Sequence, residues 1–140
     1  MINQLLNTMY HLNIEIKEID NKTKLVYEPG LLNEELKEQI KQHKSLLVQR
    51  LGENEDARKL GLLIYNHGQL YEYRYGRGAF LYIERLPNGK ATAWRDNFLL
   101  EQSTPYKTKT IIANVPFEKA FEQAAGFINW MKKVQKRKVG

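Results

Sequence analysis

The residues with the most chemical character fall in one run, Tyr71-Glu72-Tyr73-Arg74-Tyr75-Gly76-Arg77-Gly78-Ala79-Phe80-Leu81-Tyr82. On a β-strand alternate side chains share a face, so Tyr71, Tyr73 and Tyr75 project together and Arg74 points the other way. Stacking a base on an exposed tyrosine contributes about 1–3 kcal/mol whatever the base, and neighbouring cations neutralise phosphates. Arg77, Arg85, Lys90, Arg95, Lys107 and Lys109 could supply that charge, as could the tail cations Lys132, Lys133, Lys136, Arg137 and Lys138. Together these residues form the candidate nucleic-acid surface, with single-stranded DNA the favoured ligand. Alternating rings on a strand also build cores, and that second reading stays open for the tyrosines; Trp94 and Trp130 are assigned to the core.

Other chemistry has less support. His11 and His43 fall on helical patterns and His67 in a turn, so no histidine is placed as a general base. His43 sits on an apolar stripe and reads as a packed residue; no paired spacing of metal ligands accompanies it. Gly76-Arg77-Gly78 lacks the Gly-Lys-Ser/Thr ending of a phosphate-cradling loop and leads into a strand, which predicts a kinked or bulged hairpin. Glu72, Glu84, Asp96 and Glu101 could hold a divalent metal as nuclease carboxylates do, or pair with neighbouring arginines. The expectation is a non-enzymatic chain with no catalytic residue, no metal and no cofactor.

Charge divides the chain. Residues 1–56 carry 7 Lys and Arg against 10 Asp and Glu, a balance of −3, whereas residues 57–140 carry 15 against 6, a balance of +9. Of 15 aromatic residues, only Tyr10 and Tyr27 precede residue 57. This predicts an acidic front module and a basic, ring-bearing back module. With no cysteine, neither disulfides nor thiolate metal sites can form. No basic stretch followed by an apolar run opens the chain, and no apolar run reaches the roughly 18 residues of a membrane span, so the expected location is cytoplasmic.

The elements that must position these residues follow from periodicity. Leu5, Leu6, Met9 and Leu12 recur at helical spacing, ending near Asn13, a residue that tolerates the left-handed conformation. Ile14 to Ile19 alternates as a half-buried strand, Asp20-Asn21-Lys22 turns, and Lys24 to Tyr27 pairs back. After the Pro29-Gly30 break, Asn33 can cap a single helix with Leu36, Ile40, His43, Leu47 and Leu51 on one stripe. Gly52 to Asp56 reads as a linker or a kink. Leu60–Tyr65 and Gln69–Tyr75 form a hairpin about Asn66-His67-Gly68, and Ala79–Glu84 and Ala91–Arg95 form another about Pro87-Asn88-Gly89-Lys90. A strand over Thr108–Val115 then precedes a helix with Phe117, Phe121, Ala124, Ile128 and Met131 on one face. The fold class is α+β: an α-β-β-α docking module over 1–52, a linker over 53–59, and over 60–140 an antiparallel sheet packed by the C-terminal helix.

The front module resembles the N-terminal docking domain of the TubC type, found ahead of some nonribosomal peptide and polyketide synthase subunits and some mobile-element replication proteins. Leu5-Leu6, Ile14–Ile16, Leu25-Val26-Tyr27, Pro29-Gly30, Leu32-Asn33-Glu34-Glu35-Leu36 and Lys44-Ser45-Leu46-Leu47 with Leu51 stand where that family has its motif elements. Asn13 stands where the family has glycine. The resemblance covers about a third of the chain. It implies a small homodimerising fold that captures a partner's terminal peptide along its hairpin through Ile14, Ile16, Lys22, Lys24 and Tyr27. The expected function is therefore an accessory subunit that docks to a larger protein, such as a polymerase, primase or helicase, and binds single-stranded or primer-template DNA in mobile-element replication or priming. The alternatives are a protein-only adaptor or inhibitor, such as an antagonist of a nucleic-acid enzyme, and a synthase docking protein.

Overall fold

The computed structural model describes residues 2–137. The chain is α+β and divides into two compact units, residues 1–56 with 66–68, and residues 57–65 with 69–140.

In the first unit α1 (Ile2–His11) buries Leu5, Leu6 and Met9. Asn13 follows at φ 56, the left-handed value its short polar side chain tolerates. β1 (Glu15–Ile19) and β2 (Lys22–Val26) pair antiparallel with Glu15 opposite Val26 and Ile19 opposite Lys22. Asp20 and Asn21, both at positive φ, make the two-residue turn whose twist matches the strands. α2 (Glu34–Gln42) begins at Asn33, whose side chain accepts from the Leu36 N–H at 2.7 Å, with Glu34 and Glu35 in the favourable first turn.

The expected single helix after Asn33 is two. His43, at φ −107 and ψ 15, ends α2, and α3 (Lys44–Leu60) starts at the next residue. Leu36, Ile40 and Leu47 still join one core with Leu5, Leu6, Met9 and Ile14, because the break lies between turns of the stripe. The expected linker is helical as well: α3 runs through Gly52 to Asp56, and the unit boundary falls inside it. Glutamate, alanine, arginine and lysine are good helix formers, and these outweigh one glycine worth about 1 kcal/mol. The Leu62 N–H bonds to the Ala57 carbonyl and the Gly61 N–H to that of Arg58, a paired termination with Gly61 at φ 104.

The second unit is a five-stranded antiparallel meander, β3 (Leu63–Tyr65), β4 (Leu70–Gly76), β5 (Ala79–Arg85), β6 (Ala91–Asn97) and β7 (Lys107–Val115), followed by α4 (Phe117–Arg137). Phe117, Ala120, Ala124 and Ile128 of α4 are buried with Leu62, Tyr71, Leu81, Ile83, Ala91 and Ala93, so the helix covers one face of the sheet. Alanines on both the helix and β6 allow a close approach of the two backbones. Register fixes the rest: Tyr71 lies opposite Ile83, which lies opposite Ala93, so all three share the covered face.

The hairpin between β4 and β5 is bulged at Tyr75, with Arg74 opposite Phe80 and Gly76 opposite Ala79. Gly78 turns it at φ 73, and a β-carbon there would stand 2.5 Å from the Phe98 carbonyl oxygen. Gly78→Ala therefore combines a disfavoured backbone with a clash, and we expect it to cost about 2 kcal/mol or more. Urea unfolding of the two proteins measures this; a loss within the roughly 0.5 kcal/mol of a neutral surface change would contradict it.

Candidate nucleic-acid interface

Tyr71 is fully buried, its ring centroid 5.4 Å from that of Phe117, and its hydroxyl accepts from Arg85 Nη2 at 3.0 Å. Tyr73 and Tyr75 are half-buried on the same face, and Tyr75 meets Phe127 edge-on at 5.0 Å. The expected tyrosine platform is thus core. Period-2 alternation puts three rings on one face but does not say which face a helix will cover. That choice lies with the apolar stripe of α4, some 40 residues further along.

The opposite face carries rings from β5 and β6. Phe80 stacks on Tyr82 with centroids 6.0 Å apart and planes 14° apart, and Tyr82 lies 5.2 Å from Trp94. Phe98, in the loop after β6, meets Phe80 edge-on at 5.5 Å. All four are half-buried, none fully sealed from solvent. Asp96 steadies the row: its carboxylate accepts from Trp94 Nε1 at 3.0 Å and from the Thr108 hydroxyl at 2.6 Å. Placing Trp94 in the core was wrong, and so was placing Trp130 there, which is 57% exposed on α4.

Beside this row lies a cleft of about 610 Å³ lined by Glu72, Arg74, Arg77, Phe80, Tyr82 and the loop from Phe98 to Gln102 with Tyr106. Arg74, exposed, sits 5.1 Å over the Phe80 ring, and its Nε is 3.8 Å from Glu72 Oε2. Glu72 is buried to 7% exposure, and the same oxygen accepts from the Tyr65 hydroxyl at 3.0 Å. That bond, followed by desolvation, raises the Tyr65 pKa; burial, followed by the charges of Glu72 and Asp96, raises that of Tyr82.

Among the described residues Arg85, Arg95, Lys107 and Lys109 lie on the face of the sheet that α4 covers and not with Arg74 and Arg77, contrary to expectation. Arg85 stands 4.0 Å over Phe117 on the covered face. Arg95 lies 4.5 Å over Phe127 on that face, and with Lys109, its partner across the β6–β7 ladder, lines a depression beside Glu122 and Gln123. Lys107 pairs with Asn97 on the same side. Lys90 is exposed in the β5–β6 turn. On α4 Lys133 is exposed, and Lys132 Nζ donates to the Leu60 carbonyl at 3.2 Å. Lys138 lies outside the described residues, as do the side chains of Lys136 and Arg137.

In the first unit Ile14 is 4% exposed and belongs to the core, which removes it from the expected docking surface. Ile16 is half-buried, whereas Lys22 and Lys24 are exposed with Lys17, Ile19 and Val26 on the outer face of the hairpin, and Tyr27 is exposed just past the end of β2. A cleft of about 300 Å³ runs between α1 and β1, lined by Met9, Tyr10, Ile16, Lys17 and His67 among others. His67 is held in the turn at φ 56, its Nε2 3.3 Å from Asn7 Oδ1.

The outward rings were the residues that sequence reasoning missed. Their signal was present: Leu81, Ile83, Ala91 and Ala93 are the aliphatic half of the β5 and β6 alternation, which leaves Phe80, Tyr82 and Trp94 for the other side. No family model, curated protein or solved structure matches the chain.

The raised phenols give a pH test. Above the ordinary tyrosine value of 10.0 the unfolded chain releases these two protons first, so the folded state binds more protons and stability falls as pH rises. Tyr65→Phe removes one such group, and urea midpoints taken from about pH 9 to pH 11 should then fall less steeply than those of the parent. Identical slopes would contradict the Tyr65–Glu72 linkage.

Proposed function

We propose that the chain is a non-enzymatic accessory subunit whose second unit binds single-stranded nucleic acid across the face of the sheet opposite α4. The observation that carries this reading is the row of partly buried rings on the outward face, Phe80, Tyr82 and Trp94, flanked by the guanidinium groups of Arg74 and Arg77. Bases stack on such rings with little regard to sequence, and the two arginines answer the phosphates between them. With two cations lining the cleft among the described residues, binding should depend less steeply on salt than the balance of +9 suggests.

The first unit, on this reading, docks a larger protein. Its two-stranded hairpin offers Lys22 and Lys24 on an exposed face, with Tyr27 exposed just past the end of β2, which suits an extended acidic peptide added beside the strands. The resemblance to TubC-type docking modules supports this role, self-association through the unit, and a polymerase, primase or helicase of a mobile element as the partner. A second reading, a protein-only adaptor or inhibitor, is favoured by Leu99, Leu100 and Tyr106, which are 56%, 70% and 61% exposed at the rim of the cleft.

Fluorescence anisotropy with a labelled single-stranded oligonucleotide separates the two. Tyr82→Ala with Trp94→Ala should weaken binding at least about tenfold, the lower range for two lost stacking partners, while circular dichroism stays unchanged. Unchanged affinity would refute the assignment of the interface, and absence of any binding by the parent chain would favour the protein-only reading.

A further inference from the structure

We propose that Glu72 makes the cleft selective for guanine among the bases of a single strand; this rests on the nucleic-acid reading above. A carboxylate is only an acceptor, and its two oxygens offer about four lone-pair sites. Glu72 is held at 7% exposure on a wall of the cleft, where water can reach little of it. Oε2 accepts one hydrogen bond, from the Tyr65 hydroxyl at 3.0 Å, while Arg74 Nε at 3.8 Å stands beyond hydrogen-bond distance and acts through its charge alone. The carboxylate thus keeps acceptor capacity at the cleft, and a buried acceptor gains from every donor that reaches it.

The adjoining walls fix the shape of the donor. Tyr82 lies directly across the ladder from Glu72, and Phe80 stacks alongside Tyr82, so a ligand that reaches the carboxylate lies beside aromatic rings, which suits a planar aromatic group. Among the bases only guanine presents two adjacent donors, N1–H and the N2 amino group, on its pairing edge, and these match the two oxygens of one carboxylate. Adenine and cytosine offer one amino group beside an acceptor nitrogen, and thymine or uracil one N–H between two carbonyls, so each sets an acceptor against the carboxylate. Arg74 offsets part of the carboxylate's repulsion for the backbone phosphates, and Arg77, at the turn of the same hairpin, is placed to meet one of them.

The test uses the full chain and thymidine tracts carrying one central deoxyguanosine, deoxyinosine or deoxyadenosine. Inosine differs from guanosine only in lacking the N2 amino group. By anisotropy, the guanosine tract should bind roughly fivefold or more tighter than the other two, the lower range for one bidentate base contact. Glu72→Gln should abolish that preference, binding all three tracts with equal affinity. Equal affinity of the parent chain for all three central bases overturns the role of Glu72 and leaves the stacking interface standing. Binding to none of the tracts overturns both. Because the inosine comparison is made on the parent chain, it holds whether or not Glu72→Gln folds.

Discussion

The packing of α4 on one face of the five-stranded sheet decides what the second unit offers to its surroundings. Alanines stand on both sides of the contact, Ala120 and Ala124 on the helix and Ala91 and Ala93 on β6, and between them they admit the larger side chains of Phe117, Tyr71, Leu81 and Ile128. Because side chains alternate along every strand, this one contact assigns a face to each strand residue at once. A different helix stripe would have turned Tyr71 and Tyr75 outward and buried Phe80, Tyr82 and Trp94.

The outward face of the sheet inherits its order from neighbours that cost little. Asp96 fixes the Trp94 ring through its indole N–H, Tyr65 and Arg74 offset part of the cost of burying a carboxylate, and the Gly78 turn lets the hairpin approach the Phe98 backbone. These supports come from strands and a tight turn rather than from long loops, so the fold itself holds the rings of Phe80, Tyr82 and Trp94 in place. Preorganisation of this kind lowers the ordering cost of binding.

Most of the element order was legible in the sequence because it rests on local signals. Asn13 and the Asp20-Asn21 pair, read as turn-tolerant, adopt positive φ; Asn33 caps its helix; the Asn88-Gly89 hairpin and the bulge near Gly76 form as expected. Two local readings failed. His43 interrupts a continuous apolar stripe that gave no sign of a break, and the polar residues from Gly52 to Asp56 prolong a helix rather than ending it. The site was less legible than the fold. Arg74 and Arg77 were found from their own strand, whereas the inward turn of the tyrosines and the diversion of Arg85 and Arg95 to the rings of α4 depend on tertiary contacts. Net charge likewise counted cations without knowing which aromatic faces they would cover.

The central claim is that a base stacks on the outward rings. Trp130→Phe leaves Trp94 as the only tryptophan, and its emission can be followed while a single-stranded oligonucleotide is titrated into the protein. The account predicts saturable quenching of Trp94 that parallels binding measured independently on the oligonucleotide. Binding that proceeds to saturation with the emission of Trp94 unmoved in intensity and wavelength would contradict it.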